Sequence, residues 1–338
     1  MAEKRLGKST VQLANPPSIE GFACTVGKKE GEGPLASSFD YIGKDPYWGE
    51  KTWEAAESAM LKQAFDMALN KAGTAPSDVN YVFAGDLLNQ SIGAVFGLRE
   101  SAIPYYGIFG ACSTMAQGLA LAAMSLDGGF ADTVSAAASS HFCTAERQFR
   151  FPLEYGGQRT PAAQWTVTGA GAALLKSQGE GPYITHITTG IMVDYGIVDA
   201  SNMGAAMAPA AYDTLSTHFT DTGFQPSDYD LIVTGDLGAI GQSVVLDFFK
   251  LDGLDLSSNY NDCGLMIYAR EQKDINAGGS GCGCSAAVLC GHILPAIKAG
   301  RWKKVLFAGT GALMSATSSQ QGNSIPGICH AVTISAVK

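Results

Sequence analysis

The sequence predicts an α/β protein in which one unit is written twice, and three observations carry that expectation. A buried-strand pattern ending in Gly-Asp-Leu occurs at Asn80-Tyr-Val-Phe-Ala-Gly-Asp86-Leu87 and again at Tyr229-Asp-Leu-Ile-Val-Thr-Gly-Asp236-Leu237. A run of small residues opens a helix at Gly110-Ala-Cys112-Ser-Thr-Met-Ala and again at Gly281-Cys-Gly-Cys-Ser-Ala-Ala. In both halves near-continuous apolar strands alternate with helical stretches, the pattern of sheets covered by helices on both faces.

In the first unit a helix is expected over Thr52 to Ala72, where apolar residues recur at helical spacing. The Gly-Asp-Leu strand follows, then the helix that begins near Cys112 and stops at Asp127-Gly-Gly129, the strand Thr133 to Ala138, and a closing strand Thr166 to Leu175. The second unit repeats the order. It has an alanine-rich helix over Met203 to Phe219, interrupted by Pro209, then the Gly-Asp-Leu strand and a helix from Cys282 to Lys298-Ala-Gly300. The strands Lys304 to Gly309 and His330 to Val337 complete it. Asp86 and Asp236 lie 150 positions apart while Gly129 and Gly300 lie 171 apart, so the second copy holds 21 additional residues between these points. The halves are divided at 1–178 and 179–338. The segment Cys143 to Gln164, with Glu146, Arg147, Phe149, Arg150 and Tyr155-Gly-Gly-Gln158, is too polar and aromatic for core, and is expected to form a lid-like insertion over a pocket.

Of the 338 residues, 46% are hydrophobic, 16% are charged and 41 are glycine, too apolar a composition for disorder. Folding buries roughly three quarters of the unfolded surface of such a chain, so stability needs no disulfide. The formal net charge of −9 argues against a broad polyanion-binding face, and nucleic acid is not an expected partner. The N-terminal stretch has no apolar signal-peptide core. The longest apolar run, Gly118 to Leu126, is well short of the roughly 20 residues that cross a bilayer. The expected location is the cytosol, with any membrane contact made through a partner.

The eight cysteines read as reduced thiols. Cys24, Cys143, Cys263, Cys290 and Cys329 stand among apolar or small residues, where cysteine acts as a small hydrophobe. Cys282 and Cys284 form a C-x-C without the second pair a metal site needs. Cys112 differs: at the start of a helix, the macrodipole and free N–H groups lower a thiol pKa and favour a nucleophile.

The strings Ala84-Gly-Asp-Leu-Leu-Asn-Gln90, Phe109-Gly-Ala-Cys-Ser-Thr114, Ser139-Ser-His141, Thr144-Ala-Glu-Arg-Gln-Phe-Arg150, Glu154-Tyr-Gly-Gly-Gln158, Met207-Ala-Pro-Ala-Ala211, Asp262-Cys-Gly264 and Ala277-Gly-Gly-Ser-Gly-Cys282 occur in this order. Together with the duplication they resemble the stage V sporulation protein AD family, within the thiolase-like superfamily, over residues 30–338. The resemblance implies two pseudo-symmetric halves, each with a helix-covered five-stranded mixed sheet. It also implies a non-enzymatic role in sporulation: binding dipicolinic acid (pyridine-2,6-dicarboxylic acid), alone or as its calcium chelate, for uptake into the developing spore. The partners implied are the membrane proteins of the spore dipicolinate transport complex, with the protein peripheral at the forespore or inner spore membrane. A homodimer pairing through Tyr105 to Gly110 is implied as well.

Related ketoacyl synthases carry a base and an oxyanion-hole donor on second-half loops. Here those loops read Thr234-Gly-Asp-Leu-Gly238 and Gly279-Ser-Gly-Cys-Gly283, with no imidazole or amide. His292, inside the following helix, reads as a locally satisfied histidine. The alternative is a Cys112-dependent acyltransferase or ketoacyl synthase acting on acyl thioesters. For the dianion, the candidate ligand-binding residues are Cys112 and its helix start, His141 at a strand end, Arg147 and Arg150 flanking Phe149, Arg159, and Asp86. Asp86 and Asp236 read either as caps of the following loops or as residues ordering the pocket or holding Ca²⁺. Glu146 and Arg150 are also spaced for an i,i+4 surface ion pair.

Overall fold

The computed structural model describes residues 3–149 and 159–338. In chain order its strands are β1 (Thr10–Gln12), β2 (Ser18–Val26), β3 (Tyr41–Ile42), β4 (Tyr81–Gly85), β5 (Tyr105–Gly107), β6 (Thr133–Ser140), β7 (Trp165–Thr166), β8 (Gly169–Lys176), β9 (Tyr183–Thr189), β10 (Leu231–Thr234), β11 (Tyr260–Asp262), β12 (Gly279–Ser280), β13 (Lys304–Ala312) and β14 (Gly327–Ser335). The helices are α1 (Trp53–Lys71), α2 (Ile92–Leu98), α3 (Thr114–Asp127), α4 (Phe142–Phe149), α5 (Met203–Thr222), α6 (Gly238–Leu251), α7 (Cys263–Met266), α8 (Cys282–Val288), α9 (Leu294–Lys298) and α10 (Ala316–Gln320).

Strand order along the main sheet is β11-β10-β13-β14-β9-β2-β8-β6-β4-β5. Read outward from the β9–β2 junction, each half follows the same rule. The first two pairings are antiparallel (β2–β8 and β8–β6; β9–β14 and β14–β13), and the last two are parallel (β6–β4 and β4–β5; β13–β10 and β10–β11). Each half is therefore built on a five-stranded mixed sheet; the short β3 adds to β2, and the halves join where Ser18 pairs with Tyr183 and where β1 crosses to pair antiparallel with β9.

Three buried clusters make the layers. One packs α1 and α2 on the outer face of the first sheet, one packs α5 and α6 on the outer face of the second, and the largest holds α3 and α8 between the sheets. Helix α3 touches β4 and β6 of its own half and β13 and β14 of the other, while α8 lies on β6 and β8. The interior helices can approach so closely because the facing strands are made of small residues. The whole of β6, Thr-Val-Ser-Ala-Ala-Ala-Ser-Ser, is buried, and a Cβ at Gly171 would stand 2.4 Å from Ala286 O. Outer helices are started by local chemistry: Thr52 Oγ1 accepts from Ala55 N at 3.2 Å, and Asn202 Oδ1 accepts from Ala205 N at 3.3 Å.

Several expectations shift. The seam strands β2 and β9 were not anticipated. The closing strand of the first half is broken into β7, which leaves the main sheet to pair with β12, and β8. The single helix expected after Cys282 is interrupted by a π-turn over Leu289–Ile293. The start of the expected lid is helix α4, anchored at its first turn by the buried Thr144 and Ala145.

Candidate functional site

The strand ends of both halves and the start of α3 converge on a cavity of about 480 Å³. Its floor holds Ala111, Cys112 and Ser280; one wall is Ala145, Glu146 and Phe149 with Arg159 and Gln164; the facing wall includes Met203, Met207 and Met314.

Cys112 sits on a tight elbow. Ala111 takes φ 48°, a left-handed conformation that costs a non-glycine residue about 1 kcal/mol or more. Two neighbouring hydroxyls hold it: Ser113 Oγ donates to Gly110 O at 2.6 Å and Thr114 Oγ1 to Ala111 O at 2.6 Å. The second half closes in from behind, since a Cβ at Gly311 would stand 2.5 Å from Gly110 O. The half-buried Cys112 thiol faces the carboxyl of Asp236, which is wholly buried. Asp236 Oδ2 accepts from Gly281 N at 2.8 Å and Ser280 Oγ at 3.2 Å, and Oδ1 accepts from Thr310 Oγ1 at 2.8 Å.

This environment reverses the expected electrostatics. Burial first, and then the Asp236 carboxylate, push the Cys112 thiol well above its ordinary pKa. The lowered pKa expected from the helix start is overridden because Cys112 precedes the first turn of α3 and a negative charge lies beside it. Burial also raises Asp236, against the Gly281 N–H, the Cys112 thiol and the Thr310 and Ser280 hydroxyls.

Arg159 is held in the wall. It pairs with Glu146, both side chains being 11% exposed, and Nη1 donates to Gln164 O at 2.7 Å. Its guanidinium lies 4.9 Å from the Trp165 ring and 5.1 Å from the Phe142 ring, which stack on each other at 3.8 Å. Glu146 thus joins Arg159, whereas Arg150 lies outside the described residues.

Of the other sequence candidates, Phe149 lines the cavity. His141 does not: Nε2 donates to Pro46 O at 2.9 Å and Nδ1 accepts from Cys143 N at 3.1 Å, so both ring nitrogens are engaged. Arg147 is exposed and pairs with Glu54. Asp86 is buried away from the cavity, its oxygens accepting from Leu88 N at 2.8 Å and Ala94 N at 2.7 Å. None of the five histidines lines the cavity. His186 contacts Thr185, His218 contacts Thr188 and Tyr229, His292 contacts Ser38, and His330 accepts from Gly190 N. Cys282 donates its S–H to Ser139 O at 2.8 Å. Among the described residues no three His, Cys, Asp or Glu side chains gather as a metal cluster, and no helix is long and apolar enough to cross a membrane.

Sequence reading missed Gln164 and the methionine wall. Gln164 Nε2 donates to Asp236 O at 2.6 Å and Gly279 O at 2.8 Å, pinning the end of the insertion to the second half. No local pattern marks such a contact.

Two solved structures of similar shape each share 15% identity with the chain. One is 3-oxoacyl-[acyl-carrier-protein] synthase III from Aquifex aeolicus VF5 (TM-score 0.56, covering 94% of this chain and 99% of that one). The E117Q variant of OleA from Xanthomonas campestris matches with TM-score 0.59, covering 96% and 99%. These establish the thiolase-like fold. The chain is 44% identical over 329 residues to stage V sporulation protein AD of Bacillus subtilis (strain 168), covering 97% of each. The family profile for stage V sporulation protein AD matches residues 7–335, and the chain belongs to that family of sporulation proteins.

Proposed function

We propose that the cavity above Cys112 binds dipicolinic acid, alone or as its calcium chelate, and that the chain serves spore formation as a binding protein and not as an enzyme. The observation that carries this reading is the wall built by Arg159. A guanidinium backed by the stacked Phe142 and Trp165 rings, beside Phe149 in a largely apolar cavity, suits a planar aromatic acid. Membership in a sporulation family supports the biological setting. The absence of histidine from the cavity lining and the carboxylate behind Cys112 support binding without turnover. On this reading the ligand is delivered to membrane proteins of a spore transport complex. Two copies of the chain pair through Tyr105 to Gly110, β5 and the residues after it, where Tyr106 is 53% and Phe109 49% exposed.

A second reading, Cys112-dependent acyl transfer, is favoured by the strained elbow that presents the thiol to the cavity. Calorimetric titration with dipicolinic acid, with and without Ca²⁺, separates the two when run on the parent, Arg159→Ala, Arg150→Ala and Cys112→Ala. Saturable binding weakened about tenfold or more by Arg159→Ala, with no mass increase from acyl-CoA, supports the binding protein. No heat with dipicolinate and an acyl adduct on Cys112 would replace it with the acyltransferase.

A further inference from the structure

The aromatic wall that carries Arg159 is held from behind by a segment of the first half that does not line the cavity. Lys29 and Glu30 lie between β2 and β3. The Trp165 ring, against which Arg159 packs, has a partner on each face. Phe142 covers one face nearly parallel, at 9° and 3.8 Å. Lys29 Nζ, also 3.8 Å from the Trp165 centroid, therefore stands over the opposite face. That ammonium donates to Lys273 O at 2.6 Å and pairs with no carboxylate among the described residues. Gln272 Nε2 donates back to Lys29 O at 3.1 Å, so a loop of the second half fixes the lysine at both ends. Glu30 turns the other way, into the core. Its Oε1 accepts from the Tyr268 hydroxyl and from Thr168 N at 3.0 Å, and Thr168 Oγ1 accepts from Phe142 N at 3.1 Å. One short segment thus meets both rings of the stack, Trp165 directly through Lys29 and Phe142 through Glu30 and Thr168.

We propose that Lys29 is a positioning residue for the Arg159 wall: it holds the Trp165–Phe142 stack from the side away from the cavity and places a second positive charge behind it. The Arg159 guanidinium lies 4.9 and 5.1 Å from the two rings, so a change in the stack changes the surface against which this cation packs. The Lys29 charge adds to that of Arg159 at a wall facing a dianion. The inference takes its ligand, dipicolinate, from the reading above. The sandwich itself is a property of the protein and is tested without a ligand as well.

Calorimetric titration with dipicolinic acid and hydrogen–deuterium exchange of residues 163–168 are run together on the parent, Lys29→Met and Lys29→Arg. Lys29→Met keeps the apolar stem but loses the charge and the donor, whereas Lys29→Arg retains both. In Lys29→Met, affinity is expected to fall about fivefold and exchange of 163–168 to quicken by about the same factor. In Lys29→Arg, both are expected to return to within about twofold of the parent. A parent that gives no heat with dipicolinate removes the proposed ligand, while quicker exchange in Lys29→Met, restored in Lys29→Arg, still supports the role of Lys29. Unchanged exchange in Lys29→Met, undiminished affinity of that variant for a ligand the parent binds, or a Lys29→Arg that behaves like Lys29→Met overturns the inference.

Discussion

Asp86 and Asp236 occupy the same corner of the duplicated unit, each ending a buried strand in Gly-Asp-Leu, yet they do different work. Asp86 caps its own loop through Leu88 N and Ala94 N. In the second half that task passes to Asp262, at the end of β11, which accepts from Leu237 N at 2.8 Å and from Gly238 N and Gly264 N at 3.0 Å. Relieved of its loop, Asp236 reaches across to Gly281, Ser280 and Thr310 and stands behind Cys112. Asp262 ends β11, the counterpart of β5, whose matching end is Gly107, so a change on the neighbouring strand altered what an equivalent aspartate could do.

Truncating the two acids should separate their roles most sharply. Asp236→Ala leaves the buried Gly281 N–H and Thr310 hydroxyl, and the partly buried Ser280 hydroxyl, without their acceptor and is expected to cost about 3 kcal/mol or more in urea unfolding. Asp86→Ala strands two N–H groups but also removes the charge beside Glu57, and should cost roughly half as much. Equal costs would break the comparison. Asp236→Asn retains the shape and removes the charge, so Cys112 should react with iodoacetamide about tenfold faster at neutral pH, read by peptide mass mapping. An unchanged rate would mean that burial alone protects the thiol.

Burial also gives the first half a pH signature through Glu57, beside Asp86. Burial and the Asp86 charge push Glu57 up to about 8, above about 4.3 for the unfolded chain. A carboxyl raised in this way contributes its full stability below the unfolded value and loses it as pH rises toward the folded one. Stability of the parent should therefore decline between those limits by up to about 1.4 kcal/mol per pH unit. Glu57→Gln should flatten that decline in urea titrations at successive pH values. The smallest effect is expected at Arg147: its exposed pair with Glu54 contributes about 0.5 kcal/mol or less. Arg147→Ala should melt with the parent and leave dipicolinate binding unaltered.

The residue pattern carried the duplication, the helix-covered sheets, and the helix start beside Cys112, because each is written in neighbours: apolar runs, small residues at a helix start, glycines at turns. It did not carry β2 and β9. Each has polar residues interleaved, such as Glu20 and Thr25 or Thr185 and His186, and is made a strand by partners far along the chain, β8 for β2 and β14 for β9. Arg159 was legible as a cation near a pocket but not as the partner of Glu146, and His141 was placed at a strand end without its contact to Pro46. The repeat could place two aspartates at matching corners. Which one caps a loop and which faces a thiol depended on Asp262, Ser280 and Thr310, since a charge takes its pKa and its role from whatever the packed chain sets within a few ångströms of it.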